Sequence, residues 1–221
     1  MIIAIDGPSA SGKSTLGRML AHALKLLYID TGSMYRAVAL AVIDAEIDPG
    51  DKDAVSALAD EIEIELRGDP DSLSVLLNGH DVTNQIRTEK VTEMSSVVST
   101  IPGVRRAMVA RQRAIGKRGA VLNGRDIGTV VFPDADVKFF LTAGPEERAE
   151  RRYKEDQMTA ASSATFAETL SDINERDRRD SSRADSPLKV ADDAIVIDST
   201  GKSIDEVFKE MMQKIDVHRN H

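Results

Sequence analysis

The chain opens on Ile2-Ile3-Ala4-Ile5-Asp6, followed at once by Gly7-Pro8-Ser9-Ala10-Ser11-Gly12-Lys13-Ser14-Thr15. Residues 2–5 are apolar and β-branched enough to make a buried strand. Gly7 to Ser14 then matches G-x-x-x-x-G-K-[ST] at every fixed position. Leu16, Met19, Leu20, Ala23 and Leu24 follow at helical spacing. Strand, Gly-rich turn and helix in that order are what a bound triphosphate requires. Glycines let successive backbone N–H groups converge on phosphate oxygens, and the helix N-terminus adds its positive dipole end. Lys13 is placed to reach the β- and γ-phosphates, and the Ser14 hydroxyl to ligand Mg²⁺. A Gly-rich turn without function would not need this flanking order. The segment reads as a nucleoside triphosphate site.

Working outward, four more apolar runs read as buried strands, at 26–29, 120–122, 137–141 and 194–197. Helical patterns separate them, so the spacing predicts βαβ crossovers and an α/β fold with a five-stranded parallel sheet. Residues 61–82 differ. Ile62, Ile64 and Leu66 alternate with acids, Asp69-Pro70-Asp71-Ser72 makes a turn, and 73–77 returns, which predicts a hairpin within an inserted region. Residues 156–163 are small and polar, between helices expected to begin near Pro145 and Thr165, and read as a mobile loop or lid tip. Ser203-Ile204-Asp205-Glu206 is a capping-box pattern opening a C-terminal helix.

Composition narrows the class. The 221 residues are 41% hydrophobic and 30% charged, enough for one domain with a substantial core. The absence of Cys excludes disulfide scaffolds, thiolate metal sites and cysteine nucleophiles. The longest apolar run, Ala37 to Ile43, is far too short to span a bilayer, and the N-terminus has no signal-peptide pattern. The expectation is a cytoplasmic protein without a membrane partner. A net charge of −8 argues against nucleic acid as a partner. The arginines nevertheless bunch at Arg105, Arg106, Arg111 and Arg113, at Arg148, Arg151 and Arg152, and at Arg176, Arg178, Arg179 and Arg183. Solvated helix faces would also give such bunches; three of them on an acidic chain favour a small anionic ligand.

A GTPase switch needs a base-reading N-K-x-D, which this sequence lacks. Its only D-x-x-G, Asp198-Ser199-Thr200-Gly201, comes too late for a switch. A motor or helicase needs more chain. A small-molecule kinase fits the length, the insert, the arginines and the candidate lid, because phosphoryl transfer needs water exclusion and cations around migrating charge.

Three further segments carry a resemblance. Asp30-Thr31-Gly32-Ser33-Met34-Tyr35-Arg36 follows the second strand, and Asn123-Gly124-Arg125-Asp126-Ile127-Gly128-Thr129 follows the third. Glu175-Arg176-Asp177 and Asp180 to Arg183 lie ahead of Ser186-Pro187-Leu188. With the P-loop, this set and order resemble the bacterial cytidylate kinases over nearly the whole chain. The resemblance implies a P-loop kinase core (1–36 and 117–221) and a nucleoside-monophosphate-binding insert (about 37–116) with a small antiparallel sheet. It also implies a short lid (about 150–165). It implies ATP as co-substrate with Mg²⁺, and γ-phosphoryl transfer to CMP or dCMP. Another monophosphate kinase, for UMP or AMP, and a non-kinase P-loop ATPase or sensor are the alternatives. No stripe of exposed apolar residues demands a partner, so a monomer is expected.

By the same resemblance, Arg36 and Arg125 hold the acceptor phosphate with Thr31 nearby. Ser96, Arg105, Asp126 and Arg183 read the cytosine edge, and Arg176 and Asp180 the sugar. Cytosine offers an N4 donor beside N3 and O2 acceptors, so one carboxylate with Arg and Ser donors is a fitting complement. Arg176, Asp180 and Arg183 fall at i, i+4 and i+7, on one helical face; an exposed salt-bridge ladder has the same spacing. Lys13, Arg125, Arg148 and Arg152 are expected around the migrating phosphoryl group. The acceptor phosphate is already anionic, so no side-chain base is needed. Asn123 departs from the family, where many relatives carry an acid, and puts a carboxylate contribution to metal positioning in doubt. Asp6 is either a group behind the metal or a carboxylate that shapes a loop. His22, His80, His218 and His221 lack metal-ligand spacing. Met211 and Met212 are expected to fill core, and Glu147 and Glu150 to pair with neighbouring arginines.

Overall fold

The computed structural model describes residues 1–159 and 164–219. Five strands form one parallel sheet: β1 (Ile2–Asp6), β2 (Leu27–Asp30), β6 (Ala120–Asn123), β7 (Val137–Thr142) and β8 (Ile195–Asp198), in the spatial order β2-β6-β1-β7-β8. Two strands begin and end one residue later than the apolar runs predicted, because Asp30 and Asp198 still pair, with Asn123 and Thr142. Asn123 has Ile5 on one side and Asp30 on the other, so β2 and β6 end level at one edge and β1 runs one residue further. In an open α/β sheet that carboxyl edge is where ligands bind.

Alternation along β1 separates two cores. Ile3 and Ile5 face a cluster with Leu16, Leu20, Phe139, Val207, Met211 and Ile215, under helices α1 (Lys13–Leu24) and α8 (Ile204–Arg219). Met211 is thus core, as its spacing implied, and Met212 packs at the margin. Ala4 faces the other cluster, built on α2 (Thr31–Asp44), whose residues Ala37 to Val42 are all buried. Each large apolar side chain enclosed this way contributes about 1.5–3 kcal/mol. Around α2 stand α3 (Lys52–Glu61), α4 (Glu89–Val98) and α5 (Pro102–Gly116). Arg111 of α5 donates to the carbonyls of Ala59, Asp60 and Ile62, satisfying groups that the end of α3 leaves open.

The expected hairpin is present, with an extra strand. β3 (Ile64–Arg67) pairs with β4 (Ser74–Leu77), and β4 with the short β5 (His80–Asp81). The second turn is Asn78-Gly79, both residues at positive φ (49° and 81°), the conformation of a two-residue hairpin loop. Leu73, at the start of β4, packs on the α1 side of the main sheet, and Asp71 lies 3.6 Å from His22 of α1.

Helix α6 (Pro145–Thr159) extends past residue 156, where a loop was expected, and α7 (Phe166–Ser182) begins at a Thr165–Glu168 capping box. The i,i+4 pairs Glu150–Lys154 and Arg152–Asp156 carry the helix onward. Glu150 therefore pairs with a lysine, whereas Glu147 pairs with Arg151 as anticipated. The rest of the predicted loop, 160–163, and His221 lie outside the described residues. Ser203 and Glu206 make the reciprocal bonds of a capping box ahead of α8. Among the described residues no helix is long and apolar enough to cross a membrane.

Candidate active site

A cleft of about 890 Å³ opens at the carboxyl edge of the main sheet. The P-loop forms one wall, with residues Ser9 to Thr15 lining it. Its sharp turn depends on Gly7, at φ 147°, where a Cβ would stand 2.1 Å from the Leu141 carbonyl oxygen. Gly12 precedes α1 at φ 93°, so no side-chain cap covers the helix N-terminus and its N–H groups face the cleft. Lys13 is buried, its ammonium donating to the Pro8 carbonyl and, at 3.2 Å, to Ser11 Oγ. Burial and the nearby Arg125 and Arg176 guanidinium groups hold its pKa well below the usual lysine value.

Strand ends supply the next groups. Thr31 Oγ1 donates to the Asn123 carbonyl at 2.7 Å, fastening the start of α2 to β6. Asp30 accepts from Ser33 Oγ at 2.6 Å and from Arg36 Nη2 at 3.3 Å. Burial would raise the Asp30 carboxyl, but Arg36 and the Ser33 hydroxyl outweigh it and hold it below its ordinary value. Asn123 Nδ2 donates to Ser14 Oγ at 3.2 Å and Asp30 Oδ1 at 3.4 Å.

After β6 the chain makes one π-helical turn, Ile127–Val131, clamped at both ends. Asp6 accepts from the Ile127 and Gly128 N–H groups at 2.9 and 2.8 Å, and Arg113 donates to the Val130 and Val131 carbonyls. Asp6 is thus the loop-shaping carboxylate of the two roles open to it. Burial pushes it up to about 6 despite those two N–H groups. The clamp fixes Arg125 and Asp126, which point into the cleft ahead of the turn.

At the far end of the cleft, Asp126 pairs with the buried Arg105, and Arg183 Nη2 lies 3.9 Å from the other carboxylate oxygen. Arg105 also stands 5.6 Å over the Tyr35 ring. Arg183 is not on α7, which ends at Ser182; it is the extended residue after it, held by Nε donating to the Ser186 carbonyl at 2.6 Å. It still meets Asp180, at 3.5 Å. Asp180 accepts from Arg125 Nε at 2.7 Å. Burial raises Asp180, but Arg125, Arg176 and Arg183 together hold it below its ordinary value. Burial and Arg125 lower Arg176 to about 10.

Thus Thr31, Arg36, Arg105, Arg125, Asp126, Arg152, Arg176, Asp180 and Arg183 share one cleft with the P-loop. Four expected residues, Gly7, Pro8, Ser96 and Arg148, are not among its walls. Ser96 accepts from Arg179 Nη1 at 3.0 Å, while Ser95 and Ser99 line the cleft instead. Arg148 is buried, bound to Asp177 and to the Ala143 and Ser9 carbonyls. Of the arginines on α6, Arg151 and Arg152 reach the cleft. The sequence reading also missed the wall made by Ser199, Lys202 and Ile204 after β8, to which Arg151 is tied through Ser199. Its only signal in the sequence is the D-x-x-G at 198–201, whose place so late in the chain excludes a GTPase switch and says nothing else.

The cleft is built for anions. Burial first, and then neighbouring cations, depress Lys13 and Arg176, so a polyanion relieves repulsion as it binds. Among the described residues six buried side-chain polar atoms lack a hydrogen-bond partner, and Arg36 Nε, Arg105 Nε, Arg183 Nη2 and Asn123 Oδ1 are four of them. All four belong to residues of the cleft.

A family model described as Cytidylate kinase matches residues 3–217. The chain is 50% identical over 219 residues to the "Cytidylate kinase" of Solibacter usitatus (strain Ellin6076), covering 96% of this chain and 91% of that protein. It is also 50% identical over 216 residues to the "Cytidylate kinase" of Corynebacterium efficiens, covering 96% and 93%. Among solved structures, an uncharacterized protein from Eubacterium ventriosum ATCC 27560 superposes with a TM-score of 0.55 at 12% identity, over 98% of each chain. That likeness is one of fold.

Proposed function

The chain belongs to the cytidylate kinase family, and we infer from that premise that it transfers the γ-phosphoryl group of ATP to CMP or dCMP, giving ADP and CDP or dCDP. The observation that carries the reading is the single cleft with a P-loop at one end and the Arg105–Asp126–Arg183 cluster at the other. One end suits a triphosphate, the other a planar base with mixed donors and acceptors.

In this reading residues 9–15 cradle the ATP phosphates and Gly7 gives the loop its turn. Arg151, Ser199, Lys202 and Ile204 face the nucleoside of ATP. Arg36 and Arg125 hold the CMP phosphate, Arg176 and Asp180 its sugar, and Arg105, Asp126 and Arg183 its base, with Ser96 placed behind that wall by Arg179. Thr31 sets the Asn123 backbone beside them. A CMP phosphate oxygen attacks the γ-phosphorus directly, and the protein aligns the two nucleotides and balances charge as it moves. Lys13, Arg125 and Arg152 are the cations we place at the transferring group. Arg148, which the sequence reading placed with them, serves there through its hold on the P-loop.

Mg²⁺ fits the residues present. Asn123 Oδ1 is a buried acceptor with no partner, on the amide whose Nδ2 donates to the Ser14 hydroxyl, and hard cations take oxygen ligands. Ser14 and Asn123 are the side chains that would hold the ion, Asn123 through water, and the ion supplies charge neutralisation at the β- and γ-phosphates. Among the described residues no three His, Asp or Glu side chains gather to hold a metal, so most of its ligands are expected from ATP.

We take residues 37–116 as the CMP-side insert, the remainder as the kinase core, and about 150–165 as the lid. A monomer in the cytoplasm is the working unit proposed. Its exposed large apolar side chains, such as Val97, Val190, Val196 and Val217, are scattered over separate elements. Coupled ADP release measured with CMP, dCMP, UMP, AMP and GMP tests the reading. Turnover is expected with CMP and dCMP above the others; ADP formation independent of every monophosphate overturns it.

A further inference from the structure

One peptide group of the P-loop is held at both ends by charge. The Pro8 carbonyl accepts from the Lys13 ammonium, and the N–H of the same peptide, on Ser9, donates to Asp177 Oδ1 at 3.1 Å. The next carbonyl, of Ser9, accepts from Arg148 Nη1 at 3.1 Å, and that nitrogen also donates to Asp177 Oδ2. Arg148 Nε donates to the Ala143 carbonyl at 2.9 Å, anchoring the assembly where β7 leads into α6. The pair is largely enclosed, with side-chain exposures of 7% for Arg148 and 18% for Asp177.

A carboxylate beside a triphosphate loop opposes the ligand unless its charge is balanced. Here Arg148 balances it, and the acceptor is spent on a backbone N–H that would otherwise be free to turn. The arrangement ties the loop to two helices whose other residues face the cleft: Arg151 and Arg152 on α6, Arg176 and Asp180 on α7.

We propose that Asp177 is a positioning residue for phosphoryl transfer, fixing the Pro8–Ser9 peptide, and through it the P-loop and the Lys13 ammonium, against α6 and α7. This rests on the ATP:CMP phosphotransferase reading. It assigns Asp177 to the ATP side, although its neighbours Arg176 and Asp180 serve the CMP side. A general role in holding α7 predicts the opposite pattern, since disordering that helix would disturb CMP contacts at least as much.

The test is kinetics and binding on purified wild type, Asp177→Ala and Asp177→Asn. Binding is measured by calorimetry with CMP alone and with the β,γ-imido analogue of ATP alone. Turnover by the wild type with CMP establishes the underlying reading independently; its absence there refutes that reading and not this assignment. In Asp177→Ala, kcat is expected to fall roughly tenfold or more and the ATP analogue to bind several-fold more weakly, since small misplacements of reacting groups carry large rate penalties. CMP binding should stay within about twofold of wild type. Asp177→Asn keeps an acceptor for Ser9 and loses the ion pair, so it should shift the same quantities by less. It also serves if the alanine variant does not fold. Unchanged kcat and ATP-analogue affinity in the variants, or equal losses for both nucleotides, overturns the proposal.

Discussion

Arg125 Nε and Asp180 Oδ2 are 2.7 Å apart, joining the loop after β6 to the last turns of α7. The bond is enclosed, with 17% and 10% of the two side chains exposed, so each group depends on the other for its orientation and charge. In the proposed mechanism one partner holds the acceptor phosphate and the other the sugar. A change at either therefore reaches both functions.

Asp180→Ala should for that reason lower kcat as well as raise the KM for CMP, with kcat/KM falling about 10- to 100-fold, because Arg125 loses its anchor. Steady-state kinetics with CMP varied at saturating ATP check this. A rise in KM with kcat untouched would confine Asp180 to the sugar.

Lys13→Ala removes a buried cation from the P-loop. Its kcat is expected to drop by about two orders of magnitude or more, with circular dichroism and melting close to wild type. Near-normal turnover in the folded variant would take Lys13 out of the mechanism.

Base choice should follow Asp126. Uracil replaces the N4 donor with a carbonyl and protonates N3, setting like groups against the carboxylate and the Arg donors. CMP is expected to exceed UMP in kcat/KM by about tenfold or more, and Asp126→Asn to narrow that ratio. The same change leaves Arg105 and Arg183 without their carboxylate, so a loss of stability on the order of 3 kcal/mol should accompany it. A CMP-to-UMP ratio that stays fixed while both rates fall would make Asp126 a support for its neighbours only.

The buried carboxylate of Asp6 links stability to pH. Its value in the fold, about 6, lies above the 3.8 ordinary for an aspartate carboxyl, which the unfolded chain keeps. The folded state therefore holds its proton more tightly. Its contribution is fully present below about pH 4 and is lost as pH rises toward 6, by up to about 3 kcal/mol. Urea unfolding of wild type and Asp6→Asn across that window should show a difference that shifts in favour of Asp6→Asn as pH rises. The hydrogen bond that Asn cannot accept from both Ile127 and Gly128 adds a pH-independent offset. A difference constant across the window would mean that Asp6 titrates alike in both states.

What the sequence disclosed followed the reach of its signals. The P-loop was legible because strand, glycines and helix are contiguous and each has a local physical requirement. The parallel sheet was legible from buried runs spaced by helical patterns. The bunched arginines pointed only to a small anion; the base-reading role proposed for Arg105 and Arg183 came through resemblance, since the spacing equally fits a solvated ladder. Arg183 shows why: it joins the cluster from beyond the helix end, held by Ser186, and its i+7 spacing only coincides with a helical face. Asp177 carried no local sign of its role, because its partner Ser9 is 168 residues away. Asn78-Gly79 is the opposite case, a strong local turn signal left unread, and it added the third strand. The predicted loop from 156 began too early because composition there is polar, while i,i+4 ion pairs sustain α6.

The paired row Ile5–Asn123–Asp30 across β1, β6 and β2 gives the enzyme a ruler. Ile5, Asn123 and Asp30 sit side by side, and adjacent strands are about 4.8 Å apart, so the P-loop leaving β1 and helix α2 leaving β2 set out roughly 10 Å apart. Neither side-chain packing nor loop length sets that interval. A core residue can be exchanged for another of similar volume without changing it. A slip of one residue in either pairing would move one of these starting points by about 3.3 Å against the other, more than an in-line transfer can absorb. The same slip would turn every side chain of that strand to the opposite face, so the two cores and this interval are held by one register.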